Sequence, residues 1–231
     1  MLFSATIPAD IVNLATKHMK IPIHVEITPS GKTAQNVTQE LFIVKEENKK
    51  NLLNALLKKY RGSVLLFIRT KVKTRRVARY LNQVGHKAIE IHSNRSMNQR
   101  KEAIEGFKSG RYRVLAATDV AARGIDVKNI ELVINFDLPD DIENYVHRIG
   151  RTGRAGKKGH AITFAAPSQG KDVQSIESLI KKSISKGTHE GLAEGRFESH
   201  HGRPAKKSSP SRVKRKFSRK RNSRFKPRRR S

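Results

Sequence analysis

Eight successive residues in the second half of the chain, His147-Arg148-Ile149-Gly150-Arg151-Thr152-Gly153-Arg154, set one His and three Arg around two Gly. A guanidinium is planar, always charged and able to fork onto two phosphate oxygens at once, so this run points to anion binding. Arg151 and Arg154 are three apart and would face one anion if the backbone continued helically. Gly150 and Gly153 would let a partner come close to the backbone. The plainer alternative is a solvated basic helix end. A second run, Ala117-Thr118-Asp119-Val120-Ala121-Ala122-Arg123-Gly124-Ile125-Asp126, follows an apolar stretch directly. A hydroxyl in a turn at a strand's carboxyl end suits phosphate contact, although a strand-to-helix turn N-capped by Asp119 would look the same.

Two further segments carry cations in similar places. Leu66-Phe67-Ile68 runs into Arg69, Thr70 and Lys71, which is either a phosphate-touching strand end or a strand before a solvated helix start. His92 and Arg100 bracket a polar stretch, Ser93-Asn94-Arg95-Ser96-Met97-Asn98-Gln99. Arg100 is either a phosphate contact or a helix-surface Arg.

The elements that must position these residues alternate. Residues 37–44, 63–68, 88–91, 114–117, 132–136 and 161–165 read as strands, several of them continuous apolar runs of the kind buried on both faces of a parallel sheet. Residues 48–60, 72–84, 96–108, 140–149 and 171–185 read as helices. Ser96 is a candidate N-cap, with Gly85 and Gly110 as stops. Repeated strand–helix units predict an α/β fold, a doubly wound parallel sheet with helices on both faces. Ligands of such sheets sit beyond the carboxyl ends of the strands, where the four segments fall. Before this unit, a helix at 8–20, a strand at 21–27 and a linker at 28–32 resemble the end of another domain.

Net charge is +29, from 49 Lys and Arg against 20 Asp and Glu. Charge of that size makes a polyanion the expected partner, because basic side chains release counterions from a phosphate backbone. Fifteen of those cations and no acid fall within 203–231, a stretch with Phe217 and Phe225 as its only aromatics. So little apolar surface does not offset ordering entropy, so 186–231 is expected to be a disordered basic tail. There is no Cys, which excludes disulfides and thiolate metal sites and fits a reducing, cytoplasmic compartment. No apolar run approaches the roughly 18–20 residues that span a bilayer.

Taken together, these motifs resemble the C-terminal helicase domain of DEAD-box ATP-dependent RNA helicases, bacterial-type members of superfamily two. The His147–Arg154 run looks like that group's arginine-rich signature, and its opening His is similar to the RNA-acting members, whereas relatives on other substrates usually open with Gln. The Thr118 run resembles the family's ATD-x-x-ARG-x-D segment throughout, and residues 91–100 resemble its H-G-x-x-x-Q-x-x-R segment. Ser4-Ala5-Thr6 resembles a Ser-Ala-Thr segment that couples ATP hydrolysis to unwinding.

The resemblance covers about 1–185. It implies a RecA-like domain at 31–185, a remnant of the first helicase domain at 1–30, and the tail beyond. It implies that Arg151 and Arg154 reach the γ-phosphate of ATP, with Arg154 as an arginine finger of the kind worth roughly 10³–10⁵ in rate. His147 and Arg148 would bridge to the first helicase domain, and Asp126 would contact the ribose. Arg69, Thr70, Lys71, His92, Arg100 and Thr118 would contact the RNA backbone. Arg123, with Ser4 and Thr6, would shape the domain coupling. Ser93 stands where the family has Gly and Met97 where it has Gln, which implies a weaker or differently shaped RNA contact.

A P-loop pattern G-x-x-x-x-G-K-[ST] and an Asp-Glu-Ala-Asp run do not occur in these residues. Phosphoryl transfer needs a phosphate cradle and Mg²⁺ ligands as well as arginines. The expectation is therefore an enzyme half, inactive alone, that takes ATP and Mg²⁺ together with a first helicase domain that supplies the Mg²⁺ ligands. The alternative is a non-enzymatic RNA-binding or annealing protein working through its basic surface and tail. A DNA-acting helicase half is disfavoured by His147.

Overall fold

The computed structural model describes residues 9–19, 36–123, 125, 127, 130–154, 156–189 and 195–198. Ser4, Thr6, Asp126, the expected strand at 21–27, the linker at 28–32 and residues 199–231 lie outside them.

Short, wholly apolar runs become the middle of a sheet. Strands β2 (Val64–Phe67) and β4 (Val114–Ala117) are buried at every position, as is β5 (Leu132–Asn135). A strand with no solvent-facing side belongs inside a parallel sheet. With β1 (Val37–Ile43), β3 (Ala88–Ile91), β6 (Gly159–Ala165) and β7 (Ser185–Lys186) they form one seven-stranded sheet, in the order β3-β4-β2-β5-β6-β1-β7. Every pairing is parallel.

Alternate residues of each strand feed opposite cores. Val64 and Leu66 join Leu52, Leu53, Leu56 and Leu57 of α2 (Lys49–Lys59) and Val77, Ala78 and Leu81 of α3 (Lys71–Gln83). Leu65 and Phe67 join Phe107 of α4 (Met97–Lys108), Ile149 of α6 (Glu143–Ile149) and Ile176 of α7 (Gly170–Ile180). The sheet is therefore covered by helices on both faces, as expected. The chain leaves β2 toward β3 and β4, then crosses to β5 on the far side. That reversal opens a crevice at the carboxyl ends of β4, β2 and β5.

Local signals hold where their physics is strong. Ser96 caps α4 in a reciprocal box with Gln99, and Gly85 and Gly110 take φ of +88° and +78° beyond their helices. Several boundaries differ. A one-turn helix, α5 (Asp119–Ala122), follows β4, and α6 starts at Glu143 rather than 140, its first N–H held by Asp141 Oδ1 at 3.0 Å. Helix α7 stops at Ile180, not 185, because Lys181 turns left-handed at φ 52°. Glu177 then accepts the Ile184 N–H at 2.8 Å, which leads the chain into β7 beside β1. The domain also continues past 185. Gly187 donates to Leu41 O at 2.9 Å, and Phe197 packs on the core beside Gly170. An upstream helix, α1 (Ala9–His18), falls within the expected 8–20, with Leu14 half exposed.

Candidate nucleic-acid interface

The four segments meet at the carboxyl ends of the strands, and hydrogen bonds tie them to one another. Arg148 is the main tie. It sits on the inner face of α6, only 1% exposed, and forks onto Asp119 with Nε–Oδ1 2.6 Å and Nη2–Oδ2 2.7 Å. Its Nη1 donates to Asp137 O at 2.6 Å, and its guanidinium lies 5.1 Å over the Phe67 ring. One residue thus joins α6, α5, β2 and the end of β5. Arg148 is committed inward within this domain. One expectation is corrected. Asp119 is not the N-cap of α5, since Thr118 holds that position and the Asp119 carboxylate takes Arg148 instead.

Asp137 links the same region to the third segment. Its Oδ1 accepts from Lys49 Nζ at 2.9 Å and Lys73 Nζ at 2.6 Å, and its Oδ2 from the Arg69 N–H at 3.2 Å. Burial alone would raise the Asp137 carboxyl, but the charges and hydrogen bonds of Lys49 and Lys73 outweigh it and hold it below the usual carboxylate range. Glu46 completes the network with Lys49 and Lys73. Neither Lys49, buried at 2% exposure, nor Asp137 was among the residues expected from sequence. A lysine in a helix start reads as solvated, and only the fold brings Lys49 and Asp137 together across 88 residues.

The expected RNA-contact residues line this edge. The Arg69 guanidinium donates to Leu138 O at 3.2 Å and pairs with Asp140 at 3.0 Å, both partly open to solvent. Thr70 N-caps α3, accepting the Lys73 N–H at 3.3 Å, so its hydroxyl oxygen has a structural task. Lys71 reaches Asn94 Oδ1 at 3.1 Å, which joins the third and fourth segments. Arg100 on α4 reaches Ala121 O at 3.4 Å, which joins the fourth to the second. Thr118 is half-buried, and no hydrogen bond to its hydroxyl occurs among the described residues.

His92 is buried at the end of β3. Its Nδ1 accepts the Asn94 N–H at 3.3 Å, while its Nε2 has no partner among the described residues. Burial first, then the charge of Arg95, depresses its pKa, so the ring is neutral at pH 7 with its proton on Nε2. The Nε2 of His147 is likewise buried without a partner among the described residues.

The arginine pair is placed differently from the helical expectation. Helix α6 ends at Ile149, and Thr152 then forms a lone parallel bridge with Ile130. Arg151 Nη1 donates to Ile125 O at 3.1 Å, and Arg154, exposed, folds back onto Gly150 O at 2.6 Å. The pair therefore lies on a loop. Gly153 serves this chain's own packing: it takes φ +67°, and a Cβ there would lie 2.7 Å from Val37 Cγ2. Arg123 reaches Asn144 Oδ1 at 3.3 Å, so the second segment also rests on α6.

A parallel sheet that gathers these motifs at one edge has known relatives. The pattern of the helicase conserved C-terminal domain matches residues 47–156. The solved structure of the E. coli DEAD-box protein SrmB is 33% identical, matching 67% of this chain and 92% of that one at a TM-score of 0.64. The chain belongs to the DEAD-box RNA helicases. What it carries is their C-terminal helicase domain. The ATP-dependent RNA helicase DbpA of Bacillus subtilis is 44% identical over 187 residues, 80% of this chain and 39% of that protein. RhlB of Shewanella baltica, another ATP-dependent RNA helicase, is 41% identical over 80% of this chain and 42% of its own length. The chain thus spans about two fifths of these relatives. The structure of S. cerevisiae Dbp5 bound to RNA and ADP BeF3 is 30% identical, matching 80% of this chain and 50% of that one at a TM-score of 0.72. Against the DEAD-box pattern, Ser93 and Met97 are the departures, and both are exposed, Met97 at 78%.

Proposed function

We propose that this chain is the C-terminal half of an ATP-dependent RNA helicase. It offers RNA-backbone contacts and phosphate-directed arginines to a first helicase domain that cradles ATP and Mg²⁺. The observation that carries the reading is the Arg148–Asp119–Asp137 tie, which locks the RNA-facing segments and the arginine loop into one unit.

RNA lies across the carboxyl ends of β2, β3 and β4. Arg69, Lys71 and Arg100 meet phosphates, with Thr118 and Thr70 as hydroxyl donors and the His92 Nε2–H as a further donor. Contacts of that kind read phosphate and sugar rather than base edges, so binding is largely sequence-independent. The unpartnered His147 Nε2 is a group for the first domain to satisfy. The exposed Arg154 and its neighbour Arg151 serve the nucleotide, with Arg154 as the finger. Asp126 takes the ribose, and Arg123, with Ser4 and Thr6, couples the domains. Among the described residues no three His, Asp or Glu are grouped to hold a metal ion. The Mg²⁺ ligands are assigned to the first domain as part of this proposal. ATP with Mg²⁺ supplies the phosphoryl-transfer chemistry that such an assembly runs, and this chain's part is to stabilise charge and position RNA.

The test is a two-domain protein in which this chain follows an intact P-loop domain. Arg154→Ala there lowers RNA-stimulated kcat by at least about 10³ while RNA affinity stays within about twofold. Unchanged kcat would remove the finger assignment.

A further inference from the structure

Helix α3 carries a charge pattern that its own stability does not favour. Lys71, Arg75 and Arg79 repeat at four-residue spacing along one exposed face. Like charges at that spacing repel, and Lys71 and Lys73 sit in the first turn, where the helix dipole favours acids. Not one acid occurs in the helix. Arg75 and Arg79 make no hydrogen bond or ion pair among the described residues. Together with Asn82, Gln83, Glu90 and Arg95 they line a groove of about 520 Å³ between α3 and β3. Glu90, the acid of this groove, is taken up by Arg95, so the lining stays net positive. Strand β3 is the margin of the sheet, and among the described residues no further strand covers the groove.

We propose that this groove is a phosphate track for RNA flanking the segment held at the strand ends. The track starts at Lys71, already placed at the interface by its bond to Asn94. Each four-residue step along the helix advances about 6 Å, comparable with the separation of neighbouring phosphates on one strand. The guanidinium groups of Arg75 and Arg79 therefore meet successive phosphates of an RNA that leaves the interface along α3. Their fork geometry suits a bidentate phosphate contact better than Lys would. The track rests on the RNA-binding reading above and extends it to strands longer than the core interface.

Arginine modification by phenylglyoxal on the full chain, read by mass spectrometry, tests the track without interference from the tail. Among Arg69, Arg75, Arg79 and Arg100, RNA of about 6 nucleotides protects only Arg69 and Arg100, while RNA of about 20 nucleotides protects all four. In parallel, Arg75→Ala with Arg79→Ala reduces the salt slope for the longer RNA by about 1.4, which is two single-strand phosphate contacts. Removing two exposed lysines elsewhere, Lys58→Ala with Lys108→Ala, leaves that slope unchanged. Protection of Arg69 and Arg100 without protection of Arg75 and Arg79 by the longer RNA would overturn the track and leave the interface standing. Equal slope changes for both double variants would also overturn it, as would protection of Arg75 and Arg79 by the short RNA. No protection of Arg69 or Arg100 by either RNA would overturn the interface itself.

Discussion

At the residue scale, Arg148 and Asp137 make the interface one unit. A buried guanidinium that loses its partner, or a buried carboxylate that loses its cations, leaves an uncompensated charge. Removing one side of such a pair costs about 3–5 kcal/mol. Asp119→Ala is therefore expected to lower unfolding stability by about that much in urea titration, discounted because Asp119 keeps some solvent contact. Asp137 makes a pH prediction. Its folded carboxyl lies below the ordinary value near 4. The stability it contributes is present above that ordinary value and is lost as pH falls through the depressed folded one. Asp137→Asn is thus less stable than wild type at pH 7, and the gap narrows on acidification below about pH 4 in thermal unfolding. These roles were poorly legible in sequence. The density of Arg in 147–154 announced anion chemistry, but only packing separates the inward Arg148 from the solvent-facing Arg154 six residues on.

At the element scale, the parallel strands were legible because interior strands are unbroken apolar runs, helix α2 because of its apolar spacing, and α3 and α4 because spacing and end signals agree. The strand β7 was not, since two exposed residues carry no period and depend on β1 to form. The one-turn α5 is likewise too short to leave a pattern and is stabilised by Arg148 on Asp119. Helix α4 carries Arg100, and its capping box makes a direct prediction. Ser96→Ala costs about 1 kcal/mol in denaturant unfolding. Gly153→Ala is harsher, because an L-residue at φ +67° loses about 1–2 kcal/mol before the contact with Val37 is counted. That variant should also disturb the loop bearing Arg154, seen as a lower kcat in the two-domain enzyme than its stability loss explains.

At the scale of the whole molecule, a doubly wound sheet places every strand's carboxyl end on one edge, and the cations of the four motif segments fall there. The family resemblance was carried by motif order, and the fold supplies its reason: segments far apart in sequence become neighbours through Arg148, Arg100 and Lys71. The chain spans about two fifths of its curated helicase relatives, and its residues include no P-loop run. On the proposed reading, catalysis belongs to two domains closing on ATP, with RNA favouring closure. The most direct measurement is ATP turnover, with and without RNA, by this chain alone and by the same chain joined to an intact DEAD-box P-loop domain. The account predicts no turnover by the chain alone and RNA-stimulated turnover by the joined protein. ATP hydrolysis by the chain alone, or a joined protein whose turnover RNA does not raise, would contradict it.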